Sequence, residues 1–391
     1  MLRVLSVFGT RPEAIKMAPV IQALAARPDV FESKVCVTAQ HRSMLDQTLQ
    51  LFSIVPDYDL DIMANDQSPT QVAAAVLSKL EPILKTEKPD WALLQGDTTT
   101  TAAAALASFY AGVKIGHVEA GLRTKDKWQP FPEEINRRIV SLMADLHFAA
   151  TESAQGNLLA EGIPANRIHV TGNPVIDALQ SMLGRPMPSQ IASLLKAAEP
   201  EDESGRSRVG GELSAAPNVI DRKLILVTAH RRENFGRPLE NICRALLAIA
   251  RRYQEQVHIV YPVHENPNVR GPVWRILNGS PAITLTSPLD YLSLIHLANH
   301  CYLIITDSGG LQEEGPSLGK PVLVMRNITE RPEAVAAGKA RVIGVETETI
   351  VAEISRLLDN EQAYLSMSLP ANLYGDGKAS ERILEALLAF S

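Results

Sequence analysis

The chain has 391 residues, of which 46% are hydrophobic and 21% charged, and its formal net charge is −6. This length exceeds what one ordinary hydrophobic core supports, so we expect two domains, and the composition excludes a disordered chain. A mildly acidic chain also lacks the strongly basic surface of a general nucleic-acid binder, so nucleic acid is not an expected partner.

The cysteines and the apolar runs bear on the compartment. Cys36, Cys243 and Cys301 are scattered singly, at spacings that fit neither a metal site nor a disulfide framework, so reduced and buried thiols are expected. The apolar run at residues 4–8 is too short for a secretory signal, and no later run has the length of a membrane span. We therefore expect a cytoplasmic protein that does not associate with a membrane.

In the first half of the chain, short apolar runs alternate with helical stretches. Strands are predicted at residues 4–8, 34–38, 91–95, 114–118, 146–150 and 168–171. Helices are predicted at residues 12–26, 70–84, 98–110 and 133–143. This alternation is typical of a parallel sheet with helices on both faces, and nearly continuous apolar strands fit that arrangement.

The alternation stops after Leu183 and resumes at residue 223. The intervening residues 184–222 carry four prolines and a polar run, which indicate a flexible linker or insertion at a domain boundary. Further strands are predicted at residues 224–228, 258–261, 283–285, 302–306, 322–325 and 341–345. We therefore divide the chain into a first domain at 1–183 and a second at 223–365. A helical segment at 366–391 either closes the second domain or crosses back to the first.

The predicted fold class is α/β, with two Rossmann-like parallel-sheet domains. In such sheets ligands bind beyond the carboxyl ends of the strands. A cleft that both domains face is therefore the expected site.

The first predicted strand leads into Gly9-Thr10-Arg11-Pro12-Glu13 and then Lys16. Gly9 permits a tight turn, and Pro12 suits the first turn of a helix. The free amides of the helix N-terminus, together with Arg11 and Lys16, can bind an anion. An ordinary strand-to-helix turn with two solvated cations is the alternative.

Three carboxylates stand at the ends of predicted elements. Asp97 and Glu119 each follow a strand, and Glu133 opens a helix. Helix capping is one explanation of Asp97 and the helix dipole one explanation of Glu133, and neither excludes catalysis. Glu119 needs a partner, for which Arg123 is the candidate. If the three converge in one cleft, their pKa values are expected to separate into acid and base roles. The threonines at 98–101 are poor interior helix formers, so their hydroxyls are expected to hydrogen-bond a ligand or the residues around it.

The second half of the chain carries candidate phosphate-binding turns. His230-Arg231-Arg232 follows the strand at 224–228, and arginine offers phosphate a planar fork of donors; a solvated basic turn is the alternative. Ser308-Gly309-Gly310 would let backbone amides at a helix start approach a diphosphate. Glu314 lies one turn further on, where it can accept hydrogen bonds from a ribose diol, and Arg331 adds a cation at another helix start.

Together these segments closely resemble the non-hydrolysing UDP-N-acetylglucosamine 2-epimerase family, and they occur in the order of that family. No single motif is decisive, but the ordered set is very specific and covers nearly the whole chain outside 184–222. The matching segments are Gly9-Thr10-Arg11-Pro12-Glu13, Gly96-Asp97-Thr98-Thr99, His117-Val118-Glu119-Ala120-Gly121-Leu122-Arg123, Pro132-Glu133-Glu134, His230-Arg231-Arg232-Glu233, Asp307-Ser308-Gly309-Gly310 and Thr329-Glu330-Arg331-Pro332-Glu333.

The resemblance implies a glycosyltransferase-B-like fold, a homodimer, and an isomerase that serves surface-polysaccharide biosynthesis. By matching motif it places Arg11, Lys16, Asp97, Glu119, Glu133 and His230 in the active site. It places Ser308, Gly309, Gly310, Glu314 and Arg331 in the nucleotide and diphosphate site. Some members of the family have an allosteric substrate site involving a Gln-His-Arg loop, which here is Gln40-His41-Arg42. One departure from the family pattern is Ala229, which stands where glycine is expected.

The implied reaction interconverts UDP-N-acetylglucosamine and UDP-N-acetylmannosamine by eliminating UDP to give 2-acetamidoglucal and adding it back. It needs an acid, a base and stabilisation of the leaving diphosphate, but neither a metal nor a nicotinamide cofactor. Our hypothesis is that Asp97 is the base and that Glu119 and Glu133 complete the proton transfers. The alternatives are a hydrolysing epimerase, a glycosyltransferase of the same fold and a non-catalytic sugar-nucleotide sensor.

Overall fold

The computed structural model describes residues 1–39, 42–64, 67–198 and 222–390. The chain divides into two compact units: unit 1 comprises residues 1–181 and 374–391, and unit 2 comprises residues 182–373. Each unit is a parallel sheet flanked by helices, so the predicted α/β class with two parallel-sheet domains is confirmed. Within the described residues, no helix is long and apolar enough to cross a membrane.

Unit 1 alternates strands and helices as the sequence predicts. Its strands are β1 (Leu2–Phe8), β2 (Phe31–Val37), β3 (Tyr58–Asp59), β4 (Trp91–Gln95), β5 (Lys114–Ala120), β6 (Leu146–Ala149) and β7 (Ile168–Val170). Its helices are α1 (Arg11–Ala25), α2 (Arg42–Leu51), α3 (Pro69–Glu87), α4 (Thr99–Tyr110), α5 (Glu133–Met143), α6 (Glu152–Ala160) and α7 (Pro174–Leu183), the last of which ends at the unit boundary.

The sheet of unit 1 has the order β3-β2-β1-β4-β5-β6-β7, with all of its recorded strand pairs parallel. The strand sequence runs in one direction from β1 to β3 and in the other from β4 to β7. The carboxyl ends of β1 and β4 therefore form a topological switch point, the place where open α/β sheets bind ligands. Both faces of these strands are buried, which explains their unbroken apolar sequences.

The end of the chain belongs to unit 1 and is bound to it by specific contacts. Asp177 on α7 accepts hydrogen bonds from the backbone amides of Ala379 (3.2 Å) and Ser380 (2.9 Å), the first residues of α16 (Ala379–Ala389). Burial raises the pKa of this carboxyl group. Phe390 then packs edge-on against Trp91, with the ring centroids 5.9 Å apart. The C-terminal helix is thus held in unit 1 by a carboxylate cap and an aromatic contact.

Unit 2 repeats the architecture with six strands in the order β10-β9-β8-β11-β12-β13. Its strands are β8 (Lys223–Thr228), β9 (Val257–Pro262), β10 (Ile283–Thr286), β11 (Leu303–Thr306), β12 (Val322–Val324) and β13 (Ala340–Val342). Its helices are α8 (Ser189–Ala198), α9 (Arg237–Arg252), α10 (Pro267–Leu277), α11 (Tyr291–His300), α12 (Leu311–Ser317), α13 (Pro332–Ala336), α14 (Thr347–Asp359) and α15 (Glu361–Ser368). The switch point lies between β8 and β11, at the ends of the two strands that carry the predicted phosphate-binding turns.

Part of the segment predicted as a linker, residues 184–222, is helical. Helix α8 occupies residues 189–198, buries Ile191 completely and packs near α11. The backbone carbonyl of Arg185 is also bonded to the Nε2 atom of His296 on α11 (3.1 Å). Residues 199–221 lie outside the described residues. The apolar positions within 189–198 give this part of the segment one apolar helix face that packs against the unit. The prolines and the polar run elsewhere in the segment led to the prediction of a linker.

The three cysteines are buried and form no disulfide bond with one another. Burial raises the pKa of each thiol to about 12, so the neutral form dominates at neutral pH. Since the thiolate is the reactive form, Cys36, Cys243 and Cys301 are inert packing residues.

Two glycines of unit 1 offer a matched test of packing at the turn after β5. Gly121 and Gly112 both have positive φ angles, +92° and +69°. A Cβ atom on Gly121 would lie 2.3 Å from the backbone oxygen of Ala154, whereas one on Gly112 would meet nothing within 4 Å. We expect Gly112→Ala to lower the free energy of unfolding by about 1 kcal/mol, from backbone strain alone. Gly121→Ala should lower it by about 3 kcal/mol or more, because overpacking is added to the strain. Urea unfolding of both variants measures the difference, and equal losses would contradict the packing argument.

Candidate active site

The turn after β1 is shaped by close packing around Gly9. A Cβ atom on Gly9 would lie 2.0 Å from the Thr38 side-chain oxygen and 3.0 Å from that of Thr100, so a larger residue would displace these hydroxyls. The two threonine hydroxyls are hydrogen-bonded to each other at 3.2 Å. The turns that follow β1, β2 and β4 therefore meet directly at the switch point, and they bring the Arg11 turn close to the Asp97 turn.

Glu13 joins two of these turns. Its Oε2 atom accepts hydrogen bonds from the backbone amides of Gly9 (3.0 Å) and Thr10 (2.7 Å). Its Oε1 atom accepts hydrogen bonds from the hydroxyls of Thr98 (2.7 Å) and Thr101 (2.9 Å). The Glu13 residue is only 2% exposed. Glu13 was not among the predicted site residues, although the pattern Thr10-x-x-Glu13 before an apolar run is a capping-box signal that could have found it.

Lys16 and Glu119 form a buried ion pair. The Lys16 Nζ atom lies 2.6 Å from Glu119 Oε1 and 2.7 Å from Oε2, and both residues are buried. Asn173 donates a further hydrogen bond to Oε1 at 2.8 Å, and Gln95 donates one to Oε2. Glu119 therefore has a cation and two amides around it, which is what a buried charge requires.

The expectation that Arg123 pairs with Glu119 was wrong. The Arg123 guanidinium instead binds Glu161, with Nη2 2.6 Å and Nε 2.8 Å from its carboxylate oxygens. The reason is the backbone at Glu119, which has a φ of +62° and lies at an irregularity in the β5–β6 pairing. This conformation turns the Glu119 side chain toward α1 and β4, away from the residues that follow it.

Asp97 lies at the end of the neighbouring strand and is bound by α5. Its Oδ2 atom accepts hydrogen bonds from Nε (3.1 Å) and Nη2 of the buried Arg137. Asn136 donates to the Asp97 backbone oxygen at 3.0 Å. A Cβ atom on Gly96 would lie 3.5 Å from Glu119 Oε2, so the Asp97 turn runs directly beside the Lys16–Glu119 pair.

Helix α5 also carries Glu133, its first residue, which is half-buried. The next residue, Glu134, is fully buried and accepts hydrogen bonds from Arg137 Nη1 (3.1 Å) and from the Thr124 backbone amide (3.1 Å). Glu134 and Arg137 therefore fix the start of the helix. The structure thus places four of the predicted residues, Lys16, Asp97, Glu119 and Glu133, on elements that contact one another.

His117 lies behind this cluster and was not predicted as a site residue. It is fully buried, and its Nε2 atom is 2.7 Å from the backbone oxygen of Gly96, so Nε2 carries the hydrogen. Burial lowers the pKa of His117 from 6.5 to about 4, which keeps the ring neutral at neutral pH. His147 occupies the paired position on β6, and burial lowers its pKa to about 3.

In unit 2, Asp307 organises the turn that carries His230. Asp307 Oδ2 accepts hydrogen bonds from the backbone amides of His230 and Arg231, both at 2.8 Å, and from the Asn234 side chain at 3.1 Å. The His230 ring is 40% exposed, with Nδ1 3.4 Å from Asp307 Oδ1, and it stacks on His264 at 5.5 Å. The backbone at Ala229 has no positive φ, so alanine is compatible where the family pattern has glycine.

The predicted nucleotide residues of unit 2 lie around the start of α12. Arg331 is buried, and its guanidinium binds Glu313 (2.8 Å) and Glu330 (2.9 Å). A Cβ atom on Gly309 would lie 3.3 Å from the Arg331 guanidinium carbon, so this glycine lets the backbone lie against the cation. Two carboxylates thus already partner Arg331.

Several buried carboxylates and guanidinium groups form ion pairs with one another in this part of unit 2. Burial acts to raise the pKa of Glu330, but the Arg331, Arg326 and Arg231 guanidinium groups outweigh it and hold that pKa far below its usual range. Nearby, Glu314 accepts a hydrogen bond from the Tyr291 hydroxyl at 2.7 Å. Glu314 is thereby fixed close to Gly310, where a Cβ atom would lie 3.5 Å from the Glu314 Oε2 atom.

The predicted allosteric loop is only partly described. Gln40 and His41 lie outside the described residues. Arg42 is half-exposed and forms ion pairs with Asp59 (2.6 Å), Asp61 (3.2 Å) and Asp46 (3.3 Å). Elsewhere, the described part of the chain contains no cluster of three or more His, Cys, Asp or Glu side chains suited to a metal ion.

Two Rossmann-like units, each with charged turns at its switch point, are typical of the class of two-domain α/β proteins that bind ligands beyond the carboxyl ends of their strands. The model of the family "UDP-N-acetylglucosamine 2-epimerase" matches residues 22–388. The chain belongs to the UDP-N-acetylglucosamine 2-epimerase family, as the sequence motifs predicted.

Individual relatives agree with this assignment. The chain is 54% identical to the UDP-N-acetylglucosamine 2-epimerase of Escherichia coli K12, over 99% of this chain and 98% of that one. The crystal structure of the Neisseria meningitidis UDP-GlcNAc 2-epimerase bound to UDP-GlcNAc is 46% identical, with a TM-score of 0.90 and coverage of 99% and 100% of the two chains. The Staphylococcus aureus MnaA–UDP structure is 44% identical, with a TM-score of 0.89 and coverage of 100% and 97%.

The buried ion pair can be tested by removing its cation. Lys16→Met would remove the cation that contacts both oxygens of the buried Glu119 carboxylate, so we expect the free energy of unfolding in urea to fall by about 3–5 kcal/mol. Adding Glu119→Gln to that variant should restore part of the loss, because it removes the buried charge. The control is Lys85→Met, which breaks the exposed Lys85–Glu81 pair and should change little. A Lys16→Met loss no larger than the Lys85→Met loss would contradict the assignment.

His117 predicts a pH dependence of stability. Above pH 6.5 the ring is neutral in both the folded and the unfolded chain, but between pH 6.5 and about 4 only the unfolded chain binds the proton. Stability is therefore lost as the pH falls through this window, by about 1.4 kcal/mol per pH unit. Relative to His117→Gln, which cannot titrate, the wild-type protein should lose about 3 kcal/mol of unfolding free energy between pH 7 and pH 4. A difference between the two proteins that stays constant with pH would refute this.

Proposed function

We propose that the enzyme interconverts UDP-N-acetylglucosamine and UDP-N-acetylmannosamine without net hydrolysis. The observation that carries this proposal is the pair of carboxylates, Asp97 and Glu119, on neighbouring turns at the switch point of unit 1, each bound to a buried cation. Family membership over residues 22–388 supports the same reaction.

The chemistry of the sugar dictates an elimination. The hydrogen on carbon 2 is not next to a carbonyl, so its removal alone would leave an unstabilised carbanion. If a base takes the proton while the bond between carbon 1 and the diphosphate oxygen breaks, the C–H electron pair forms a C1=C2 double bond and UDP leaves with the other pair. Protonation of 2-acetamidoglucal from the opposite face, with UDP adding back, inverts carbon 2. The scheme needs no oxidant, and that it needs neither a metal nor a nicotinamide stays a prediction.

The geometry favours Asp97 over Glu119 as the base. Glu119 uses both oxygens to accept hydrogen bonds from Lys16, Gln95 and Asn173. Within the described residues, the hydrogen bonds of the Asp97 carboxylate all reach Oδ2, which leaves Oδ1 to accept a proton. Arg137 would hold the carboxylate in a fixed orientation during the transfer.

The remaining predicted residues are assigned to the leaving group and to the second proton transfer. We assign Glu133 and the Lys16–Glu119 pair to reprotonation, and Arg11 and His230 to the developing charge on the diphosphate. The Ser308–Gly310 turn, with Arg331 beneath it, would hold the diphosphate, and Glu314 the ribose. The Neisseria and Staphylococcus structures, bound to UDP-GlcNAc and UDP, support a UDP-sugar substrate. Homodimer formation, a cytoplasmic location and an allosteric role for Gln40-His41-Arg42 stay predictions.

The reaction is tested by proton NMR of UDP-N-acetylglucosamine with the purified enzyme in deuterium oxide. We expect UDP-N-acetylmannosamine to form, deuterium to enter at carbon 2 and little free UDP to accumulate. Stoichiometric UDP with free N-acetylmannosamine would instead identify a hydrolysing enzyme. Binding without deuterium exchange would identify a sensor, and turnover only with an added acceptor would identify a glycosyltransferase.

The base is tested by Asp97→Asn, which keeps the size and removes the proton acceptor. The rate of deuterium entry at carbon 2 should fall at least about 100-fold, the usual scale for a general base. The matched control is Asp90→Asn. Asp90 immediately precedes β4, whereas Asp97 follows it, and the Asp90 carboxylate accepts the Arg3 backbone amide at the amino ends of the strands. A near-normal rate of deuterium entry in Asp97→Asn would refute the assignment of Asp97 as the base.

A further inference from the structure

Glu13 is a buried carboxylate that the proposed reaction does not use. Its four recorded donors are two backbone amides of the β1–α1 turn and two hydroxyls of the β4–α4 turn. Within the described residues no lysine or arginine forms an ion pair with it. Burying a carboxylate without a cation is costly, and here only hydrogen bonds and the N-terminal dipole of α1 offset that cost.

The two turns that Glu13 joins carry different parts of the proposed site. The first turn carries Arg11, and the second carries Asp97. Thr98 caps α4 by accepting the Thr101 amide at 3.1 Å while its hydroxyl donates to Glu13. The helix that follows Asp97 is therefore fixed to the helix that begins with Arg11.

The threonine run at 98–101 supplies the hydroxyls that join these turns. The Thr100 hydroxyl bonds to Thr38 beside Gly9. The Thr101 hydroxyl lies 2.9 Å from Glu13 Oε1 and 2.8 Å from the Gln95 backbone oxygen, and its one hydrogen is shared between these two acceptors. These hydroxyls hold protein groups at the base of the site. The expectation that the run hydrogen-bonds the residues around a ligand agrees with this geometry, with Glu13 as the centre of the contacts.

We propose that Glu13 is a positioning residue that sets the distance between the Arg11 turn and the Asp97 turn, and so aligns the base with the leaving group. This inference rests on the proposed epimerisation. A networked carboxylate with four hydrogen bonds of 2.7–3.0 Å restricts both turns more than one helix cap would. A displacement of about 1 Å between reacting groups can cost about 100-fold in rate, so this restriction bears directly on turnover.

The test compares Glu13→Ala with Glu13→Gln. Glutamine can accept the Gly9 and Thr10 amides through its oxygen and donate through its nitrogen to Thr98, whose hydroxyl can rotate to accept. We therefore expect kcat to fall about 10- to 100-fold in Glu13→Ala and less than about fivefold in Glu13→Gln. In both variants KM should stay within about threefold, because the alignment matters most in the transition state.

Loss of folded protein is separated from loss of alignment by two measurements. The number of UDP-binding sites, from calorimetric titration with UDP, gives kcat per binding-competent molecule. Asp145→Ala is the structural control. Asp145 accepts a hydrogen bond from the Ile115 amide (2.8 Å) near the start of β5, at the amino ends of the strands and away from the proposed site. It should lower the melting temperature while kcat per UDP site stays near the wild-type value.

If Glu13→Ala does not fold, Thr101→Val removes one of the four bonds with little change in volume. We expect it to lower kcat per UDP site about three- to tenfold. A wild-type kcat per UDP site in Glu13→Ala, or in Thr101→Val where the alanine variant is unfolded, would overturn the positioning role. So would an equal loss in the alanine and glutamine variants. Failure of the wild-type enzyme to epimerise would instead refute the proposed function, so the two failures are distinguishable.

Discussion

The buried ion pair between Lys16 and Glu119 is the constraint on which unit 1 depends. Removing two charges from water costs several kcal/mol for each, and their attraction offsets this cost only when the other donors and acceptors are satisfied. Helix α1 supplies the cation, β4 supplies Gln95, and the turn before α7 supplies Asn173. Three segments far apart in the sequence must therefore keep their register around one carboxylate. The left-handed backbone at Glu119 is the local strain that this arrangement tolerates.

The fold could be predicted from the sequence because its signals are local. Helix α5 occupies the predicted residues 133–143, and the strands around both switch points lie within a few residues of the predicted ranges. Apolar runs alternating with helical periods leave few topologies besides a parallel sheet. The two-residue strand β3 was missed because Tyr58 and Asp59 carry no apolar run; β3 exists only because Cys36 and Val37 on β2 pair with it.

The site was predicted less completely, because motifs give positions and not partners. Asp97, Glu119 and Glu133 follow from strand ends and a helix start, but the cation for Glu119 lies 103 residues earlier in the chain. Arg123 is nearer to Glu119 in the sequence. The positive φ of Glu119 turns its side chain away from Arg123, and the residue type does not predict that φ. His117 was not predicted for a similar reason. A histidine within an apolar strand is interpreted as a core residue, and only the structure shows its contact with the Gly96 carbonyl beside Asp97.

In both units a buried carboxylate that follows one strand of the switch point holds the turn that follows the other strand. The carboxylate follows the earlier strand in unit 1 and the later strand in unit 2. At each switch point, two neighbouring strands end in turns that must stay together although no strand pairing extends that far. In unit 1 a buried carboxylate after β1, Glu13, holds the turn after β4 through hydroxyls. In unit 2 a buried carboxylate after β11, Asp307, holds the turn after β8 through the backbone amides of His230 and Arg231. A carboxylate suits this task because its two oxygens accept several hydrogen bonds from different directions, whereas an amide accepts with only one. At these two switch points the carboxylates that hold turns, Glu13 and Asp307, are buried, whereas the side chain of the proposed base, Asp97, is 24% exposed.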